Sequence, residues 1–119
     1  HQGFGRVGGD GVMAKLGELY KITSGGTPSR THSEYYEDGT IPWVKTGDLK
    51  DKYLFETDEK ISQLGLENSS ARIYLKNTVL LAMYGATIGA TSILKIDAAT
   101  NQACAAFSPE YWIHFLLFH

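Results

Sequence analysis

Cysteine is nearly absent: Cys104 stands alone in 119 residues, so no disulfide framework staples the fold. A lone thiol fits a reducing compartment such as the cytoplasm, or simply an absence of oxidative stapling. Long apolar runs are missing as well. Val79–Met83 is of strand length, far short of the roughly 20 apolar residues that span a bilayer. An excess of positive charge is also lacking, since eleven Lys and Arg meet thirteen Asp and Glu, for a net charge of −2. That balance argues against an autonomous binder held to nucleic acid by a basic surface. It leaves room for a module that reads base edges while a partner supplies most phosphate contacts.

Catalytic signatures are missing too. The sequence has no Gly-x-x-x-x-Gly-Lys-Ser/Thr phosphate loop, no Cys-x-x-Cys and no His-Glu-x-x-His, each of which has a spacing that its chemistry demands. His1, His32, His114 and His119 are scattered and lack metal-ligand spacing. Cys104 lies in the small apolar run Ala103–Phe107. That setting suits a buried, inert thiol, because reactive thiolates need exposed electropositive surroundings. Asp48, Asp51, Asp58 and Glu59 form no nuclease pattern and read as a solvated face or a helix cap.

What is present is the composition of a folded domain: 43% hydrophobic residues, at a length that supports one core. Residues 1–12 are glycine-bearing and read as a flexible leader. The remainder, 13–119, reads as one α+β domain of about five short strands with two or three short helices. Leu19–Thr23 is β-rich, and Ser24–Ser29 is a loop punctuated by paired glycines and a proline. Glu34–Tyr36 suggests a helical turn, and Asp38-Gly39 a tight turn. Ile41–Lys45 predicts a short strand starting at or near a proline, which suits an edge or a strand's first residue. Thr57 or Asp58 caps a predicted short helix with Ile61 and Leu64 on one face and Gly65 at its end. Ala71–Leu75, Thr78–Tyr84, Ala90–Ile96 and Thr100–Phe107 are further strand candidates. Gly85–Gly89 is a turn. Ser108, Pro109 and Glu110 carry helix-start chemistry, leading into an apolar helix at Tyr111–Phe118.

Three polar, glycine-bearing loops separate β segments: Ser24–Arg30, Thr46–Asp51 and Tyr84–Gly89. They offer Thr, Ser, Arg, Lys, Asp and Tyr, residue types that can read base edges or phosphates. Arg suits guanine, carboxylates suit the cytosine amino group, and threonine methyls suit thymine. Asn101-Gln102 adds two amides of the kind that pair with adenine. The same residues also serve a plain structural reading, in which glycines set turns while Thr, Asn and Gln satisfy backbone groups.

The motifs in series resemble a known family. Ile22-Thr23-Ser24-Gly25-Gly26-Thr27-Pro28-Ser29, Tyr35-Tyr36 and Ile41-Pro42-Trp43-Val44-Lys45-Thr46-Gly47-Asp48-Leu49 come first. Ile61–Leu66, Asn68-Ser69-Ser70-Ala71-Arg72 and Thr78-Val79-Leu80 follow. Met83-Tyr84-Gly85-Ala86-Thr87-Ile88-Gly89 and Thr100-Asn101-Gln102-Ala103-Cys104 complete the set. Together they resemble the target recognition domain of type I restriction-modification specificity subunits, in order and over about Leu16 to Phe107.

That resemblance implies a sequence-specific double-stranded DNA recognition module of the type I target-recognition-domain fold. It would read one half of a bipartite site and direct methyltransferase and restriction subunits. It also implies that the chain is not an enzyme: adenine-N6 methylation and ATP-driven cleavage, with their S-adenosylmethionine, ATP and Mg, belong to other subunits. The absence of an Asn/Asp-Pro-Pro-Tyr motif agrees. Relative to the family's pattern, the domain reads as C-terminally truncated, without the spacer helix. The DNA-reading candidates are Arg30, Lys45, Thr46, Asp48 and Lys50 first. Thr27, Ser29, Tyr84, Thr87, Asn101 and Gln102 join them. For Asn101 and Gln102 a structural hydrogen-bonding role stands beside base reading. The rival reading is a truncated fragment acting through protein–protein contact, as a homodimer through Tyr111–Phe118 or by subunit competition.

Overall fold

The computed structural model describes residues 20–109. The expected leader 1–12 and the apolar segment Tyr111–Phe118, with the homodimer expected through it, lie outside the described residues. Eight short strands lie within them. They are β1 (Tyr20–Ser24), β2 (Ile41–Val44), β3 (Tyr53–Leu54), β4 (Glu59–Ile61), β5 (Val79–Ala82), β6 (Thr91–Leu94), β7 (Ala99–Thr100) and β8 (Cys104–Pro109). One α-helix, α1, covers Gln63–Glu67, and single 3-10 turns cover Ser33–Tyr35 and Thr46–Asp48.

The strands form two sheets. The larger has the order β1-β8-β5-β6-β3 and the smaller the order β4-β2-β7. β3 runs parallel to β6 and β2 parallel to β7, while the other pairs are antiparallel. Strand β2 lies between two hydrophobic clusters. Successive side chains of a strand point to opposite faces, so Trp43 and Val44 enter different clusters although both are buried. Val44 packs with Leu80, Leu94, Cys104, Ala98 and other residues under the large sheet. Trp43 packs with Ile61, Ala71 and Ala99, covered by Tyr36, Ile41 and Leu66. The small sheet is therefore covered on both faces where Trp43 and Val44 lie, while Ile41 and Pro42 are half-buried.

Several expectations hold. Strands fall where Leu19–Thr23, Ile41–Lys45, Thr78–Tyr84 and Ala90–Ile96 were β-rich. Asp38 takes a φ of 54°, and Gly85 and Gly89 take φ of 100° and 90°, the left-handed backbone that tight turns require. Cys104 is buried.

Others are corrected. Residues 57–65 do not form one helix. Glu59–Ile61 is strand β4, with Glu59 opposite Trp43 and Ile61 opposite Ile41. The helix begins after it, capped by Ser62, whose Oγ accepts from the Gly65 N–H at 3.1 Å. Gly65 is inside α1 rather than at its end, and its lack of a side chain serves packing, since a Cβ there would lie 2.6 Å from the Tyr35 carbonyl oxygen. Ser108 and Pro109 do not start a helix. They continue β8, opposite Lys21 and Tyr20, and five residue pairs with β1 outweigh local helix-start chemistry. The stretch 100–107 is two strands, since the turn at Asn101–Ala103 carries the chain from the small sheet to the large one. Ala71–Leu75 contributes one bridge, Tyr74 to Ala98. Pro42 is in the middle strand of its sheet, not an edge strand. It is tolerated because β7 pairs only with Trp43 and Val44, so its missing N–H interrupts no ladder on that side.

Candidate nucleic-acid interface

The register places the ends of four strands together. β1 ends at Ser24 opposite Ala105, and β5 ends at Ala82 opposite Cys104. β2 and β7 run parallel and end at Val44 and Thr100. The segments that follow these strands therefore leave the domain at one end. Hydrogen bonds tie them to each other there. The Gly26 N–H donates to the Thr100 carbonyl at 3.0 Å, Asn101 N–H to Val44 at 2.8 Å, and Met83 N–H to Ala103 at 2.8 Å. The Trp43 indole N–H donates to the Gly26 carbonyl at 3.0 Å. Thr87 Oγ1 donates to the Thr46 carbonyl at 3.1 Å. The three polar loops and the Asn101-Gln102 pair thus share one surface, although up to 75 residues separate Thr27 from its bonded partner Gln102.

Each candidate has a definite place in this end. Arg30 grips Glu59 with both terminal nitrogens, at 3.0 and 3.4 Å. Its guanidinium also lies over the Tyr36 ring at 4.3 Å and the Trp43 ring at 5.3 Å. Lys45 Nζ donates to Oε2 of the same carboxylate, the oxygen it shares with one Arg30 nitrogen, and sits 3.5 Å from Asp58. The hydrogen bonds from Lys45 and then Arg30 hold the Glu59 carboxyl below its usual range, and the bond to Glu59 raises both cations. Burial pushes the Tyr36 hydroxyl up, against the pull of Arg30. Burial likewise pushes the Cys104 thiol up to about 12, with Asp48 adding to the effect.

Asp48 is structural in this conformation. Its carboxylate accepts from the Lys45 N–H at 2.9 Å and from the Asp58 N–H at 3.3 Å, so it fixes the 3-10 turn that carries Thr46. Asn101 is similar: Oδ1 accepts from the Ala103 N–H at 3.1 Å. Ser29 exchanges a hydroxyl bond with Thr31 at 2.8 Å, and Thr27 donates to the Gln102 amide oxygen. Lys50 and Tyr84 are exposed and make no side-chain hydrogen bond or ion pair among the described residues. The Gln102 amide nitrogen likewise has no partner there.

Sequence reasoning did not single out four features of this end. Glu59 anchors two of the candidates. Tyr36 carries Arg30. Lys52 lies 5.4 Å over the Tyr53 ring. Ile88 projects from the β5–β6 turn at 67% exposure, a large apolar side chain beside polar loops. The alternation of β4 would have shown Glu59 and Ile61 on one face had the strand been recognised. Beside these residues lies an open groove of about 540 Å³, lined by Asp48, Lys50, Asp51, Tyr53, Phe55 and Asp58. Its carboxylates give the end a mixed charge. Among the described residues no His, Cys, Asp and Glu group is placed to hold a metal ion, and no helix is long and apolar enough to cross a membrane.

Residues 10–119 match the family described as the type I restriction modification DNA specificity domain. Similar proteins include the specificity subunit of the type I restriction enzyme EcoR124I/EcoR124II from Escherichia coli. It is 27% identical over 98 residues, which are 80% of this chain and 24% of that protein. The MjaIX specificity subunit of Methanocaldococcus jannaschii is 30% identical over 109 residues, covering 89% and 25%. The crystal structure of the HsdS subunit from Thermoanaerobacter tengcongensis aligns with a TM-score of 0.56 at 20% identity, over 86% of this chain and 25% of that one. A chain from a structural study of assembly and conformational transition in the type I R-M system gives 0.57 at 22% identity, over 85% and 26%. These structures share the small mixed-sheet fold. The chain spans about a quarter of the length of the relatives it matches.

Proposed function

The chain belongs to the family of type I restriction modification DNA specificity domains, and we propose that its loop-bearing end reads one half of a bipartite site in double-stranded DNA. The observation that carries this is the convergence of the 25–31, 45–52, 84–89 and 101–103 segments on one surface. Reading base edges needs several polar side chains held at fixed mutual positions, and the strand ends supply that. In this reading Lys50 is a phosphate contact, while Gln102, Tyr84 and Thr87 face base edges. Thr27 orients Gln102. Asp48 and Asn101 hold the loops in shape. Arg30, Lys45, Lys50 and Lys52 are offset by Asp48, Asp51, Asp58 and Glu59, so the surface favours selection by groove contacts over adhesion to any duplex.

The module carries no catalysis of its own in this account. It directs methyltransferase and restriction subunits, and S-adenosylmethionine, ATP and Mg act on those partners. Amide hydrogen exchange with and without duplex DNA tests the assignment of the surface. Protection concentrated in 25–31, 45–52, 84–89 and 101–103 supports it. Protection concentrated at 72–77, at the opposite end of β5 and β6, overturns it.

A further inference from the structure

Glu59 holds two cations of the reading end on a single carboxylate. Arg30 meets Oε1 and Oε2 with its two terminal nitrogens, and Lys45 meets Oε2. Both cations are otherwise well placed for phosphate. They sit beside the loops at 25–31 and 45–50, and their side chains remain 55% and 31% exposed. A guanidinium with both nitrogens on a carboxylate has little left to offer a phosphate, which it would bind with the same fork. Lys45 is further drawn to Asp58. The position of Glu59 is set independently of these contacts by the β2–β4 register, in which it lies opposite Trp43.

We infer that Glu59 is a specificity-determining positioning residue: it keeps Arg30 and Lys45 on the protein and so withholds them from sequence-independent phosphate binding. The inference rests on the DNA-reading function proposed above. Without the carboxylate, Arg30 and Lys45 turn outward and grip any duplex. Affinity for unrelated DNA rises, and the margin between target and non-target narrows. Each phosphate neutralised adds about 0.9 to the slope of log K against log salt. Freeing two cations therefore steepens the slope by up to about 1.8, which is roughly a tenfold greater loss of affinity between about 50 and 200 mM salt.

The test compares the chain with Glu59→Gln and Glu56→Gln on a selected duplex and a scrambled one, by fluorescence anisotropy over a salt series. Glu56 is exposed, lines the same groove as Asp48 and Asp58, and has no ion pair among the described residues, so its variant changes the net charge equally without freeing a cation. The expected result is tighter binding of scrambled DNA and a steeper salt slope for Glu59→Gln alone. Equal effects of the two variants would overturn the inference and reduce it to net charge. The double variant Glu59→Gln/Lys45→Gln should recover about half the added slope, and no recovery would count against Lys45 as a freed cation. Circular dichroism checks that β4 still forms. If Glu59→Gln unfolds, Glu59→Asp serves instead, with a smaller effect in the same direction; an unchanged slope there overturns the inference. A wild-type chain that prefers no sequence would overturn the DNA-reading function itself. A wild type with a preference that Glu59→Gln leaves intact would overturn only the role of Glu59.

Discussion

The Trp43 indole N–H donates to the Gly26 carbonyl at 3.0 Å, in a buried bond between strand β2 and the first polar loop. Trp43 is 1% exposed and stands edge-on to Tyr36, with ring centroids 6.0 Å apart. It therefore joins the core of the small sheet to the loop that delivers Thr27, Ser29 and Arg30. Trp43→Phe keeps most of the apolar volume but leaves the Gly26 carbonyl without its donor. An unsatisfied buried acceptor costs about 1–3 kcal/mol. Urea unfolding should show a lower midpoint with an unchanged m-value.

Gly25 approaches the end of β7 more closely than any side chain allows. A Cβ would lie 2.0 Å from the Thr100 carbonyl oxygen and 2.2 Å from its Oγ1, and Thr100 is fully buried. Gly25→Ala must push the loop and the small sheet apart, at about 1–3 kcal/mol for overpacking. Thermal unfolding should shift down, and DNA affinity should fall with it because Gly26 and Thr27 move together.

Cys104 is the starting residue of β8 and has no solvent access. Burial raises its thiol from 9.0 to about 12. The folded value lies above the unfolded one, so this stabilisation is intact below about pH 9 and is lost as the pH climbs toward 12. A disulfide reagent at pH 8 should leave the folded chain untouched and react fully once urea is added. Rapid labelling of the native chain would show that the β5–β8 pairing opens readily.

Lys50 and Gln102 separate two kinds of contact. Lys50→Ala should weaken target and scrambled duplexes alike and make the salt slope shallower by about 0.9. Gln102→Ala should relax the preference at one base position, by about 1–3 kcal/mol for a bidentate amide contact. A uniform loss for Gln102→Ala would instead place it among the residues that only shape the loops.

The acid limb of stability should carry the signature of Glu59. Its carboxyl is held below 4.5 by Lys45 and Arg30. The folded value is the lower one, so the stabilisation is present above the unfolded value and is lost as the pH falls through the folded value. The pair is partly exposed, so the loss is small. Glu59→Gln should flatten that part of the stability curve measured by urea titration at several pH values.

The legible parts of the fold were those in which local and tertiary preferences agree. Val79–Ala82 and Thr91–Leu94 are β-branched or apolar stretches flanked by turn residues, and they form strands. Asp38, Gly85 and Gly89 announce turns through backbone conformations that few residues tolerate. β3 and β4 were not legible, because they are two and three residues long and owe their form to partners distant in sequence. Ile61 and Leu64 satisfy a helical spacing by accident of a strand followed by a helix, which leaves Ile61 buried and Leu64 exposed. Ser108-Pro109 carries sound helix-start chemistry, and pairing with β1 overrides it. The loop segments at this end could be seen in the sequence, but their convergence could not. Arg30 and Lys45 stood out as polar residues of the loops, whereas Glu59, which holds both, is reached only through the β2–β4 register.

Selection of duplexes from a random pool by the folded chain tests the central claim most directly. The account predicts enrichment of one short motif, with base preferences that change at a single position when Gln102 is replaced. Recovery of unrelated sequences by a chain that circular dichroism shows to be folded would contradict it, and would mean that the converging loops are scaffold and not a reader.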